Sequence, residues 1–274
     1  MNNVNDIAIF LEKFAPLNLA EEWDNVGLLV GDRRREVRKV ITCLTITPES
    51  AAEAIEEKAD LIVTHHPLPF AALKRLTTDT TPGRLLWELI SERISIYSPH
   101  TAFDSAREGV NQCLAAGLGL RGITPLRACE ETGTSTSLRS EPVPVFLGAG
   151  RWGWLEEMIS LEQLGERLKK FLHIDHLQVV GDPKRPIRSV AVACGAADEL
   201  LAAAQSNGCD CMVIGEARFH TCLEAEATQI ALLLPGHFAS ERFAVEWLAE
   251  ILSNHFPQLN IWPSRRERDP LKWM

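Results

Sequence analysis

Val4, Ile7, Ala8, Leu11 and Phe14 recur at the 3.6-residue period of a helix with one buried side, and Pro16 stops it. Beyond that point the apolar positions change period repeatedly. After the turn at Asp24-Asn25, Val26–Val30 reads as a strand closed by Gly31, and residues 39–46 read as another. Ala51, Ala52 and Ile55 mark one side of a helix over about 49–58. Leu61, Ile62 and Val63 predict a buried strand that Pro67 and Pro69 end. A helix over 84–92, a strand through Ile94, Ile96 and Tyr97, and a helix over roughly 105–116 follow. Residues 121–142, with TGTSTS at 132–137, have the composition of a loop. Next come a strand at 143–147, the glycine-rich GAGRWGW at 148–154, and a helix opened by the Ser160–Gln163 capping pair. Strands at 177–180, 187–193, 211–214 and 230–234 then alternate with helices near 197–206 and 217–228. A long last helix carries Phe243, Trp247, Leu248, Ile251 and Leu252 on one side. This alternation predicts an α/β fold.

The pattern also repeats. KVITCLTITPESAAEAIEEKADLIVTHH (39–66) aligns without a gap on SVAVACGAADELLAAAQSNGCDCMVIGE (189–216) at a shift of 150 residues. Asp60 falls on Asp210 and Glu49 on Glu199. Downstream, the strand at 94–98 leads to His100 and Asp104, and the strand at 230–234 leads to His237 and Glu241. Each is a histidine followed four residues later by a carboxylate. The chain is therefore expected to form two related α/β halves, 1–125 and 126–274, on a duplicated strand–helix–strand repeat.

Three strand ends thus present His65-His66, His100 with Asp104, and His237 with Glu241. Ligand crevices of open α/β sheets lie at the carboxyl ends of the strands. Imidazoles mixed with carboxylates suit divalent Zn, Fe, Mn, Ni or Co. Five or more such ligands exceed what one catalytic zinc takes from protein, so a two-metal centre is expected. Each piece has a plainer reading. His100 could cap the following helix, and Glu241 could be a first-turn carboxylate favoured by the helix dipole.

Composition narrows the setting. The chain has 274 residues, 46% hydrophobic and 24% charged, which is ordinary for a globular protein. No stretch approaches the ~18 apolar residues of a membrane span. The opening MNNVNDIAIFLEKF lacks a basic leader region and reads as an amphipathic helix instead of a signal peptide. A net charge of −9 argues against broad binding to nucleic acid or anionic membranes. The basic clusters at Arg33, Arg34, Arg35, Arg38 and Lys39 and at Arg265, Arg266 and Arg268 read as solvated turns. Seven cysteines without disulfide spacing point to a reducing, cytoplasmic setting.

EEWDNVGLLVGD, DLIVTHHPLPF, YSPHTAFD, GAGRWGWL and LLPGHFASE together resemble the signature blocks of the Nif-three-like family, whose members carry the name GTP cyclohydrolase 1 type 2 homologue. The likeness runs from about residue 4 to 252, with the blocks in the family's order. It implies two intertwined α/β halves, a di-metal site between them, and a toroidal homohexamer. Carried over residue by residue, the family's ligands fall on His65, His66, Asp104, His237 and Glu241. Glu241 would bridge, His66 and Asp104 would hold one ion, and His65 and His237 the other. The segment 121–142 is too short for the domain some relatives insert between the halves. His220 resembles a residue that relatives place beside the metals, so His220 and His100 are expected to move protons. Arg218 and Arg242 are candidates for a substrate phosphate. The family name implies a metal-dependent hydrolase acting on a nucleotide or heterocycle such as GTP. A non-enzymatic metal-binding assembly or regulatory factor, or a di-metal phosphoesterase, is the alternative.

Overall fold

Local signals in the sequence become elements in the computed structural model, which describes residues 2–129, 147–272 and 274. Of the loop expected over 121–142, residues 130–142 lie outside the described residues, as does nearly all of the strand expected at 143–147. The earlier part instead forms two short strands, Arg121–Thr124 and Arg127–Ala128, because each pairs with a strand further along the chain. Helix α1 (Val4–Phe14) opens on a reciprocal cap: Asn3 Oδ1 accepts from the Asp6 N–H, and Asp6 Oδ2 accepts from the Asn3 N–H. Strands β1 (Gly27–Val30) and β2 (Lys39–Cys43) follow. Helix α2 (Pro48–Glu56) has the same kind of box between Thr47 and Ser50, with Pro48 in its first turn. Then come β3 (Leu61–Thr64), α3 (Thr81–Ser91) and β4 (Ser95–Ser98).

The helix expected over 105–116 is two helices, α4 (His100–Ser105) and α5 (Val110–Gly117). Gly109, with an extended backbone, breaks the turn and caps the second. The chain continues through β5 (Arg121–Thr124), β6 (Arg127–Ala128), β7 (Gly148–Ala149) and β8 (Arg151–Ser160). It then forms α6 (Leu161–Leu172), β9 (Gln178–Val180), β10 (Pro186–Ala193) and α7 (Leu201–Ser206). The last elements are β11 (Cys211–Ile214), α8 (Phe219–Ala227), β12 (Ala231–Leu234), α9 (His237–His255) and β13 (Asn260–Pro263).

The chain divides into two compact units. The first joins Met1–Phe103 to Glu241–Met274, and the second is Asp104–Ser240. These units are drawn differently from halves cut at 125, because β13 returns the C-terminal segment to a parallel pairing with β2. The divisions fall inside α4 and inside α9.

In the first unit a five-stranded sheet runs β1-β4-β3-β2-β13. Only β1 is antiparallel to its neighbour. Every residue of β3 and β4 is buried, as parallel strands covered on both faces require. Ile41, Ile62, Ile96, Leu85, Leu86 and Leu89 form part of one apolar cluster between the sheet and α2 and α3. Each such side chain contributes about 1.5–3 kcal/mol on burial. In the second unit a six-stranded sheet runs β5-β8-β10-β11-β12-β9, with β10, β11 and β12 parallel. Strands β6 and β7 form a separate short pair. Among the described residues no helix is long and apolar enough to cross a membrane.

Candidate metal site

The site in the first unit begins at the C-terminal end of β3. The His65 and His66 amides donate to the Cys43 and Leu44 carbonyls, which continues the β2–β3 pairing past Thr64. Thr64 Oγ1 lies 3.2 Å from the Leu44 carbonyl and 3.1 Å from the His66 carbonyl, and Ser98 Oγ donates to the His65 carbonyl at 2.6 Å. Backbone alternation would send adjacent side chains apart, yet just past the end of β3 the two rings lie 5.2 Å apart. His100 enters from the end of β4, with its ring 5.2 Å from His65 and 5.5 Å from His66. One nitrogen from each of these three histidines lies within 4.8 Å of the others.

Glu241 on α9 closes the cluster. Its Oε2 is 3.1 Å from His66 Nε2, and its Oε1 is 3.8 Å from His65 Nε2. Glu241, His65 and His100 are buried and His66 is partly exposed. Burial pushes the His66 imidazole below its ordinary pKa, and the positive potential of His65 and His100 adds to that against the opposing pull of Glu241. A neutral imidazole keeps a lone pair for a metal ion.

Two partners set the ring orientations. His66 Nδ1 lies 2.7 Å from Thr45 Oγ1. His100 Nδ1 lies 2.7 Å from Asp24 Oδ1, while Asp24 Oδ2 accepts from the Thr101 hydroxyl at 2.5 Å and from the Thr101 N–H at 3.2 Å. Burial raises the Asp24 pKa, but the hydrogen bonds from His100 and Thr101 outweigh it and bring it to about 2. An ionised Asp24 can only accept, so His100 Nδ1 carries the proton and Nε2 remains the basic nitrogen. His100 holds a positive φ of 27°, a costly backbone for a non-glycine residue at the head of α4.

The remaining expected residues are placed as follows. In the second unit Asp104 Oδ1 accepts from Cys194 Sγ at 3.1 Å, one helical turn after His100. His237, the first residue of α9, has its Nδ1 2.9 Å from Glu216 Oε1. His220 is exposed near the start of α8 with its ring beside Phe219. Arg218 is also exposed and pairs with Asp198 at 2.5 Å. Arg242 follows Glu241 in the chain, but its guanidinium turns to Glu267 at 3.2 Å, Glu246 at 3.3 Å and the Ser264 carbonyl at 2.8 Å. Its charge is thus engaged by the C-terminal segment.

Sequence reasoning passed over Asp24, Thr45 and Arg151. Asp24 stands inside the EEWDN block, which was the available signal. Arg151 is fully buried in the second unit and donates to the carbonyls of Ser105, Ala106, Gly148 and Gly150 and to Gln112. It fastens the chain just beyond Asp104.

Residues 2–270 match the family described as Duf34/NIF3 (NGG1p interacting factor 3). The chain belongs to the Duf34/NIF3 family. It is 31% identical over 274 residues to the GTP cyclohydrolase 1 type 2 homolog of Clostridium acetobutylicum, covering 98% of each chain. It is 29% identical to NIF3-like protein 1 of Bos taurus, covering 95% of this chain and 90% of the relative. The crystal structure of a Bacillus cereus protein related to NIF3 superposes with a TM-score of 0.87, covering 99% of both chains at 24% identity. That likeness places this Duf34/NIF3 chain in the same α/β fold.

Proposed function

We propose that this chain is a metal-dependent hydrolase acting on a nucleotide or a related heterocycle. The observation that carries the reading is the His65–His66–His100 cluster closed by buried Glu241. Such a donor set fits a divalent ion of the Zn, Fe, Mn, Ni or Co kind, since three imidazoles and one buried carboxylate stand together. In this reading His65, His66, Asp104, His237 and Glu241 would hold two ions, with Glu241 as a ligand shared by both. The name of the Clostridium relative makes opening of the guanine ring of GTP the first candidate reaction. A duplicated fold and a toroidal homohexamer belong to the same proposal.

When bound, the ions supply Lewis acidity and lower the pKa of water towards neutrality. The chain's own residues do the rest. Asp24 holds His100 in the tautomer that leaves Nε2 able to accept and return a proton. Thr45 fixes the rotation of His66, so that its Nε2 faces Glu241. Burial of His65 and Glu241 excludes water from competing for their donor atoms. His220 is exposed and open to a substrate, whereas Arg218, also exposed, would have to leave Asp198 to meet one.

Protein purified without chelator should hold about two ions per chain by elemental analysis. Turnover of a panel of GTP, other nucleotides, phosphodiesters and cyclic amides should vanish on chelation and return with a divalent ion. Ring-opened GTP with formate identifies a cyclohydrolase, and phosphate release identifies a phosphoesterase. A fully metallated chain that turns over nothing in the panel sinks the enzymatic reading in favour of a metal-binding assembly factor. Light scattering should report about six chains of 30.5 kDa each.

A further inference from the structure

Two large aromatic side chains stand in solvent beside the histidine cluster, and the metal chemistry uses neither. Trp23 is 62% exposed and Phe70 is 58% exposed. Apolar rings this open usually mark a contact surface when they occur together. They come from loops 47 residues apart in the chain, yet their centroids are 5.9 Å apart at an interplanar angle of 33°. A hydrogen bond ties the two loops, for Asn25 Nδ2 donates to the Pro69 carbonyl at 2.8 Å. Asp24, between Trp23 and Asn25, is itself anchored to His100 and Thr101. The loops that carry the rings are therefore tied down by half-buried polar contacts.

Their position relative to the histidines decides what they would bind. The His100 ring lies 6.0 Å from Trp23 and 6.1 Å from Phe70, edge-on to both. His100 in turn lies 5.2 Å from the His65 ring and 5.5 Å from the His66 ring, so both aromatic side chains border the histidine cluster. We infer that Trp23 and Phe70 form a stacking platform that holds a flat heteroaromatic ring, such as a purine base, at the mouth of the histidine cluster. Aromatic faces grip bases by stacking, with little dependence on which base is present. The platform thus selects a ring of that shape and leaves finer discrimination to polar groups. The inference rests on the cluster being the reacting centre proposed above, and it names the part of the substrate that is held there.

The test is calorimetric titration of the metal-loaded full chain with guanosine and, separately, with ribose 5-phosphate. Trp23→Ala and Phe70→Ala should each weaken guanosine binding by about 5- to 150-fold, the effect of losing one stacked aromatic side chain. Trp23→Phe should recover most of the loss, and weak binding of ribose 5-phosphate should be unchanged in every variant. Metal content and the circular-dichroism spectrum should match the parent, because neither ring is a ligand or part of the core. Guanosine bound with equal affinity by parent and both alanine variants overturns the platform and leaves the metal reading standing. So does a variant whose mass by light scattering falls while its guanosine affinity holds, since the rings then serve a contact between copies. A parent chain that binds guanosine through Trp23 but takes up no metal when loading is attempted keeps the platform and sinks the hydrolase.

Discussion

Residues 39–66 in the first unit and 189–216 in the second each run from a strand through a helix to a parallel neighbouring strand, and they carry different chemistry. Val40 pairs with Leu61 as Val190 pairs with Cys211, each position shifted by 150. Asp60 Oδ2 accepts from the Arg38 and Lys39 amides, and Asp210 Oδ2 accepts from the Arg188 and Ser189 amides. Lys58 and Gly208 both turn the helix end with positive φ. The differences are local and each has a cause. Thr47 caps α2 with its side chain, whereas Ala197 cannot, and there the first turn tightens to a 3₁₀ helix over Asp198–Leu200. Most telling are the strand ends, where His65 and His66 stand opposite Gly215 and Glu216 in the alignment. A Cβ on Gly215 would lie 2.5 Å from Ser240 Oγ and 2.6 Å from the Gly195 carbonyl oxygen. One strand end is open enough for two imidazoles, and the other is packed shut. The comparison teaches that the scaffold positions a strand end without deciding what it carries.

The largest effect should come from testing where the metal sits. Glu241→Ala should take occupancy from about two ions per chain to near none, because a bridging carboxylate serves both. Glu216→Ala should lower occupancy far less, since it bonds to the proposed ligand His237 without being one itself. Elemental analysis decides, and loss of a single ion in Glu241→Ala breaks the bridge.

Next in size is a stability difference between the two segments. Buried Glu53 on α2 accepts from Trp262 Nε1, Ser264 Oγ and the Arg265 and Arg266 amides, whereas its counterpart in the second unit is Ala203. Burial raises the Glu53 pKa, but these donors more than compensate and hold it below its usual range. Glu53→Ala should therefore cost about 3 kcal/mol, since several buried donors lose a charged acceptor together. Urea unfolding measures it, and a loss below about 1 kcal/mol would mean that the C-terminal segment is held by other contacts.

Gly215→Ala probes the closed strand end. Backbone and Ser240 must both give way, so it should destabilise by about 1–3 kcal/mol. A neutral result in the same unfolding assay would show that this end can open. The smallest effect tests equivalence itself. Asp60→Asn and Asp210→Asn should each cost about 1–2 kcal/mol and agree closely, because each removes a carboxylate acceptor from two amides. Values that differ twofold would assign the excess to the Arg35–Asp60 pair, 3.3 Å apart, which Asp210 lacks among the described contacts.

The sequence alone determined what depends on near neighbours. Apolar period, capping pairs and prolines located most helices and the parallel strands β2, β3, β10 and β11, because those forces act over three or four residues. It also brought forward His65, His66, His100 and Glu241, since each stands where a buried run ends. Other features depended on distant partners. Strand β8 is interrupted by Gly153 and an acidic run, and it is a strand because β10 and β5 pair with it on either side. Strand β13 ends on a proline and exists through its pairing with β2, some 220 residues earlier. The Asp24 that orients His100 lies 76 residues away, and Arg242 is claimed by Glu267 of the last segment. No window along the chain contains such pairs. Tertiary structure decided them because a buried charge or an unpaired strand edge is stabilised by whichever partner the fold delivers, wherever it lies in the sequence.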